Sequence, residues 1–196
     1  MTFRPNLIVA AATLLLAACG SPDEAKGAAG GVIASLADNV VEEVRQEMET
    51  KNLPVGSGSG HDLPKAEVTP EGVLVIDGVA VAMDQKQRDV ALAYREAVIR
   101  VAEDGARVGL MGAQVGKDAA VAALAGVFSG ADEAEVEAKV RASTAGIEAE
   151  AKKLCDTLPS LLAQQQALAE AVPAFAPYAD MTQDDVDDCM RDVDIQ

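Results

Sequence analysis

Histidine is almost absent from this chain, and with it most of the chemistry that depends on an imidazole. The 196 residues include one histidine, His61, which lies beside Asp62 at the end of a glycine- and serine-rich run. A histidine in such a segment is most often solvated. Serine and cysteine nucleophiles usually act with a nearby histidine base, so a single histidine argues against a Ser-His-Asp or Cys-His unit. We therefore expect a protein that is not an enzyme.

Basic and aromatic residues are scarce as well. Lysine and arginine number 16 against 32 acidic residues, which gives a formal net charge of -16, and tryptophan is missing. Proteins that bind nucleic acid present clusters of Lys and Arg to the phosphates, so we expect no nucleic-acid partner. With so few aromatic rings, the core has to consist mainly of Ala, Val and Leu, which suits closely spaced helices.

No motif for a cofactor or metal is present. The stretch from Gly112 to Lys117 is followed by Asp118 rather than Ser or Thr, so it is not a phosphate-binding loop. An acidic C-terminal segment could attract Ca²⁺ through its oxygen ligands, but its spacing does not match an EF-hand. We interpret it as a solvated acidic face. Its aspartates are Asp180, Asp184, Asp185, Asp187, Asp188, Asp192 and Asp194.

The N-terminus has the features of an export signal. Arg4 is followed by an apolar run from Leu7 to Leu16, which is shorter than the ~20 apolar residues that span a bilayer. A basic start, a short apolar run and small residues at a cut site are typical of a secretory signal. We predict that residues 1–18 are a signal peptide and that the mature chain begins at Cys19.

The cut site resembles the lipobox of bacterial lipoproteins. It reads Leu16-Ala17-Ala18-Cys19 directly behind the apolar run, followed by Gly20. The resemblance implies a diacylglyceryl group on the Cys19 thiol and a further acyl chain such as palmitate, and several chains anchor a protein stably. An ordinary secretory signal with an incidental cysteine is the alternative. Gly20 stands where aspartate retains such proteins at the inner membrane, so we expect the outer membrane, facing the periplasm.

The two remaining cysteines fit an exported protein. Cys155 and Cys189 would close a loop of about 35 residues, and disulfides persist in the oxidising periplasm. By the chain-entropy treatment, a disulfide that closes such a loop stabilises the folded chain by about 4 kcal/mol. Two free buried thiols or a redox pair are alternatives, although the Cys-x-x-Cys spacing of redox pairs is missing. We expect a structural disulfide.

The first part of the mature chain alternates flexible and helical segments. Residues 19–31 are rich in Gly, Ala and Ser and are predicted to be a flexible tether. Residues 32–51 place apolar side chains at helical spacing and predict an amphipathic helix. Residues 52–65 contain two prolines and a Gly-Ser run, which indicates a second linker.

Residues 66–83 carry the signals of a β-hairpin. Thr69-Pro70-Glu71-Gly72 fits a turn with proline in its second position. β-Forming residues at 73–76 and 79–82 flank Asp77-Gly78, a pair that accepts the positive φ of a hairpin turn. Ala66 to Val68 is a candidate third strand.

Residues 84–196 are predicted to be a helical bundle. Asp84 and Gln87 fit a capping box, and Thr182 with Asp185 fits the start of a short last helix that carries Cys189. Pro159 is expected to kink or restart a long helix. The predicted fold class is mainly α: a helical bundle with one small β-hairpin near its start, tethered to a membrane by an N-terminal linker.

A stripe of small residues runs along one predicted helix. Glycine costs a helix about 1 kcal/mol per site relative to alanine, so the pattern needs a reason. Close approach of a second helix is one reason, as in the packing of small residues at every fourth position. The stripe consists of Gly105, Gly109, Gly112, Gly116, Ala119, Ala123 and Gly126.

Several short motifs resemble the YggN-like family of periplasmic proteins. The likeness rests on Thr69-Pro70-Glu71-Gly72, Ile76-Asp77-Gly78, Gln87-Arg88 and Tyr94-Arg95, together with the run from Cys155 to Cys189. It covers roughly Ala66 to Cys189. The resemblance implies a periplasmic setting and no particular chemistry.

These observations predict a non-catalytic, lipid-anchored protein of the cell envelope. It would act as an interaction or structural module with an envelope protein as its partner. The alternative is a membrane-acting or self-associating protein that uses the glycine- and alanine-striped helix. An enzyme with only carboxylates in its site is a third, weaker reading.

Overall fold

A computed structural model describes residues 38–56, 63–129 and 133–194 of the chain. Residues 39–196 form one compact unit. The predicted signal peptide, Cys19, the tether and His61 lie outside the described residues. The side chains at Ala123 and Gly126 lie outside them too.

The described residues are mainly α-helical, as predicted. A first helix, α1, covers residues 38–50. Four short strands follow: β1 (Leu53–Val55), β2 (Ala66–Val68), β3 (Leu74–Ile76) and β4 (Val79–Ala80). Two long helices, α2 (Gln85–Ser129) and α3 (Glu133–Ala171), then pack against each other. A 3-10 helix (Ala176–Tyr178) and the last helix, α4 (Gln183–Asp194), complete the fold.

The strands form one antiparallel sheet in the order β1-β2-β3-β4, so the predicted hairpin is part of a four-stranded sheet. The predicted linker 52–65 is corrected at its start, because Leu53 pairs with Val68 and forms the edge strand β1. Leu53 and Val55 are buried, and this burial favours a strand over a solvated linker. Pro54 is tolerated between them because an edge strand has one side without ladder hydrogen bonds.

The predicted turns are confirmed by their backbone geometry. Asp77 and Gly78 have φ of 50° and 78°, as a tight hairpin turn between β3 and β4 requires. Gly72 has φ of 75°, and its N–H donates to the Thr69 carbonyl at 2.9 Å. Strand β4 ends at Ala80, two residues before the predicted end.

Both predicted helix caps are present. The N–H of Gln87 donates to the Asp84 carboxylate, and the Asp84 N–H donates to the Gln87 side chain, both at 2.9 Å. At α4, the Asp185 carboxylate accepts bonds from the Thr182 N–H and hydroxyl, both at 2.7 Å. These reciprocal bonds satisfy groups that a helix start would otherwise leave unpaired.

Helix α3 continues through Pro159, so the expected restart of the helix does not occur there. Cys155 lies before the proline and Leu162 and Leu168 lie after it, and all three are buried. Burial on both sides of the proline favours a continuous helix through the residue that removes one of its hydrogen bonds.

The core lies where the sheet meets the near ends of the long helices. Its fully buried side chains include Val68, Leu74, Leu168 and Phe175. The Tyr94 and Phe175 rings meet edge to face with centroids 5.3 Å apart, a favoured aromatic geometry.

Away from this core, the residues of α2 and α3 are less buried. We call residues 101–129 of α2 and 133–154 of α3 the helical arm. None of its described side chains is buried.

Candidate functional site

The stripe of small residues lies on the helical arm. Gly109, Gly112 and Gly116 are exposed, as is Ala119, and Gly105 is half-buried. All belong to α2. Helical periodicity places residues three and four apart on one face, so these positions form one open strip along the helix.

No described part of the chain packs on this strip. A Cβ built on Gly105, Gly109, Gly112 or Gly116 would meet no atom of the described residues within 4 Å. At these four positions, no element of the described residues packs on the stripe. Met111, whose side chain meets Gly146 of α3, directly precedes Gly112 in the chain and therefore lies on a different face of α2. Packing of a helix from another chain on the strip stays a prediction.

The glycine at the contact between the two long helices is one that the sequence analysis missed. An added Cβ at Gly146 of α3 would lie 3.1 Å from the Met111 Cε of α2. Gly146 is a single glycine without a repeating pattern, so nothing in the sequence distinguishes it. Its lack of a side chain gives Met111 the room to pack between the helices.

The strip thus carries an energetic cost that the described chain does not offset. Each glycine weakens the helix by about 1 kcal/mol relative to alanine, and at Gly109, Gly112 and Gly116 no described residue lies within 4 Å of a built Cβ to compensate. What the strip offers is exposed backbone that a second helix can approach more closely than side chains would allow.

The predicted cysteine pair comes together. The Cys155 and Cys189 sulfurs lie 2.03 Å apart, which is the distance of a disulfide bond, and their Cα atoms are 5.6 Å apart. The bond joins α4 to the middle of α3. Gln165 holds the segment before α4 by donating to the Met181 carbonyl at 2.9 Å and accepting from the Met181 N–H at 3.3 Å.

A buried arginine, Arg95, joins three elements of the fold. Its guanidinium donates to the Val68 carbonyl of β2 and to the Met48 carbonyl of α1, both at 2.6 Å. It also reaches the carbonyls of Glu49 and Lys51, at 3.3 and 3.1 Å. Burial lowers the pKa of Arg95, while the Glu71 carboxylate acts in the opposite direction. The bonds satisfy carbonyls that the end of α1 leaves without helical partners.

An ion pair connects α1 to α2 farther along. Arg45 Nε lies 2.5 Å from Glu103 Oε1, and the Glu103 side chain is only 12% exposed. The hydrogen bond and charge of Glu103 raise the pKa of Arg45, with a smaller contribution from Glu49. Nothing in the sequence indicated these long-range partners, because the residues are 58 positions apart.

The pKa of Tyr94, in the core, is strongly shifted. Burial raises the pKa of its phenol to about 12, and the charge of Asp180 adds to the shift. A neutral tyrosine packed on Phe175 is a structural group, and it is remote from the helical arm.

The aspartates of α4 point largely to solvent. Asp184, Asp187, Asp188 and Asp192 are exposed, and the bonds from Thr182 lower the pKa of Asp185. Across the described residues, no three His, Cys, Asp or Glu side chains group in a way that could hold a metal ion.

Within the part of the chain that the structure describes, no helix has the length and apolar character needed to cross a membrane.

Comparison of the chain with models of known protein families, with curated proteins and with solved structures finds no match.

Proposed function

We propose that this protein is a non-catalytic, lipid-anchored module of the bacterial cell envelope that binds a partner protein through its helical arm. The observation that carries the proposal is the exposed strip Gly109, Gly112 and Gly116, on which no described residue packs. Three helix-weakening residues on an open face are what a helix-binding surface requires.

The anchor is proposed from the N-terminal sequence. Cys19 follows a short apolar run and the small residues Ala17 and Ala18, which resembles the lipobox of exported lipoproteins. Lipid on Cys19 would hold the protein at a membrane surface, and Gly20 favours the outer membrane, facing the periplasm. The resemblance to the YggN-like family agrees with this compartment and adds no chemistry.

The composition of the strip indicates the kind of partner. It presents backbone and small side chains without charge, so it suits an uncharged helix face that also carries small residues. Such a contact gains its energy from close van der Waals packing rather than from ion pairs. An envelope protein that exposes a helix of this type is the proposed partner.

Self-association through the same strip is a second candidate. The glycine spacings are four, three and four residues from Gly105 to Gly116, and this order reads the same in both directions. In a two-fold symmetric, antiparallel pair, Gly105 would face Gly116 and Gly109 would face Gly112. Such mutual contacts define an isologous interface. Sedimentation velocity separates this candidate from the first, because only self-association raises the mass of the purified protein with concentration.

The experiment that tests the main proposal is a crosslinking pull-down from cell envelopes. It compares the natural chain with a Gly109→Leu, Gly112→Leu variant. The control is Gln114→Leu, because Gln114 is also exposed on α2 but lies on the opposite side of the helix from the strip. All three proteins should fold, since the glycine positions have open space around them.

The proposal expects one envelope protein to be captured by the natural chain and by Gln114→Leu but not by the double variant. Equal capture by all three folded proteins would contradict it and would direct attention to the sheet edge or α4. Loss of folding in the double variant alone would show that the strip packs within the chain.

A further inference from the structure

Helix α1 lies along one face of α2 that is defined by regularly spaced residues. Arg95 contacts the carbonyls at the end of α1, and Glu103 pairs with Arg45 near its middle. Ile99 lies four residues from each, so helical periodicity places it on the same face between the two contacts. Ile99 is 4% exposed. Ile99 therefore lies on the face of α2 that α1 contacts through Arg95 and Glu103.

Few apolar side chains hold α1 in place. Val41 is its only buried residue among those described, and Val40 is 37% exposed. Val44 and Met48 are half-buried. The firm contacts are polar: the bonds from Arg95 and the ion pair of Arg45 with Glu103. A helix held by a few polar contacts can open locally while the packed core stays closed.

The Arg95 guanidinium does not depend on α1 for its position. It also donates to the Val68 carbonyl of β2, at 2.6 Å, and Val68 is fully buried in the core. Opening of α1 would therefore remove some bonds of Arg95 and keep one. Arg95 would remain charged, bonded and ready to receive α1 again.

We propose that α1 is a hinged cover that opens as a unit over the Ile99 face of α2, and that Arg95 is the latch that closes it. The inference is independent of the proposed partner at the glycine strip, which involves a different face of α2.

Hydrogen–deuterium exchange of the purified protein, resolved by peptide mass spectrometry, tests this device. In the natural chain, the α1 amides should exchange at least tenfold faster than those of α2 next to the core. Arg95→Met should raise α1 exchange roughly tenfold to hundredfold, because bonds to a charged group are lost. Glu103→Gln should raise it roughly two- to fivefold, as expected for an ion pair near the surface.

The matched control is Arg100→Met. Arg100 lies on the same helix and, among the described residues, pairs with the exposed Glu96, so α1 exchange should stay within twofold of the natural rate. The proposal also expects exchange in α3 and in the sheet to be unchanged in Glu103→Gln.

Three results would overturn the proposal. They are equal exchange of α1 and α2 in the natural chain, no change of α1 in Glu103→Gln, and a uniform rise across the whole fold in either variant. If Arg95→Met does not fold, Arg95 is a general determinant of folding and the latch is rejected. In that case two measurements decide whether α1 is a cover. They are the exchange rates of α1 and α2 in the natural chain and the change of α1 exchange in Glu103→Gln.

Discussion

At the scale of single residues, Gly72 and the glycines of the strip are under different structural constraints. Gly72 has φ of 75°, and a Cβ there would lie 2.6 Å from the Arg88 carbonyl oxygen. It is required both by its backbone conformation and by the close approach of α2. Gly109 and Gly112 are helical and have open space around them, so the folded chain does not need them.

This difference predicts opposite effects on stability. Gly109→Ala and Gly112→Ala should each raise the free energy of unfolding by about 1 kcal/mol, because alanine is the better helix former. Gly72→Ala should lower it, since alanine is strained at positive φ and would meet the Arg88 backbone. Urea unfolding followed by circular dichroism measures all three. A loss of stability in the two helix variants would show that the strip is packed after all.

The buried phenol of Tyr94 predicts a pH dependence. Its pKa of about 12 in the folded chain exceeds the ~10 of an unfolded tyrosine. The unfolded chain therefore releases this proton first. The contribution of Tyr94 to the free energy of unfolding is fully present below about pH 10. As the pH rises toward 12, this free energy falls by roughly 2–3 kcal/mol.

Tyr94→Phe removes this contribution and leaves the other alkaline titrations in place. The unfolding free energy of the natural chain minus that of Tyr94→Phe should therefore fall as the pH rises from about 10 to about 12. A difference that is constant over this range would mean that the Tyr94 phenol is not desolvated in the folded protein.

Residue-level features show the limits of sequence-based prediction. The Asp77-Gly78 turn and the Asp84–Gln87 cap were predicted because both partners lie within a few residues of each other. Arg95 was not, because its carbonyl partners lie 27 to 47 positions away. A buried arginine that bonds to backbone carbonyls leaves no side-chain pattern in the sequence.

At the scale of elements, the disulfide ties α4 to α3. Helix α4 contributes one buried apolar residue, Val186, so packing alone holds it weakly. Replacing Cys155 and Cys189 together by alanine should lower the free energy of unfolding by about 4 kcal/mol for a loop of this length. Amide exchange in α4 should rise, while the sheet and the near end of α2 stay protected. No change in stability would mean that α4 is held by Val186 and the Gln165 bonds instead.

The ends of helices and strands could be predicted where local sequence signals are strong. They could not be predicted where long-range contacts determine them. Strand β1 lies in a segment whose prolines and Gly-Ser run indicate a linker, and it forms because its residues pair with β2. The continuity of α3 through Pro159 likewise depends on burial on both sides of the proline. The sequence could not predict what the glycine strip packs against. The spacing of the small residues shows that they share one face of the helix, but it does not identify the neighbour of that face.

At the scale of the whole molecule, the proposed lipid on Cys19 would hold the folded unit at a membrane surface. Replacing Cys19 by serine should move the protein from the membrane fraction to the soluble periplasmic fraction, because the lipid cannot attach. Cell fractionation with immunoblotting measures the distribution, and the mass of the N-terminal peptide shows whether acyl chains are present. A Cys19→Ser protein that stays in the membrane fraction would contradict the lipid anchor. Ser21→Ala is the matched control and should stay with the membrane.

The central claim is that the glycine strip binds another protein, and crosslinking from single positions in living cells tests it most directly. One strain carries a photo-crosslinking amino acid at Gly112, on the strip, and another carries it at Gln114, which is exposed on a different face of α2. The account predicts a discrete adduct from position 112 and none from position 114, with a mass that distinguishes an envelope partner from a second copy. No adduct from position 112, or the same adducts from both positions, would contradict it.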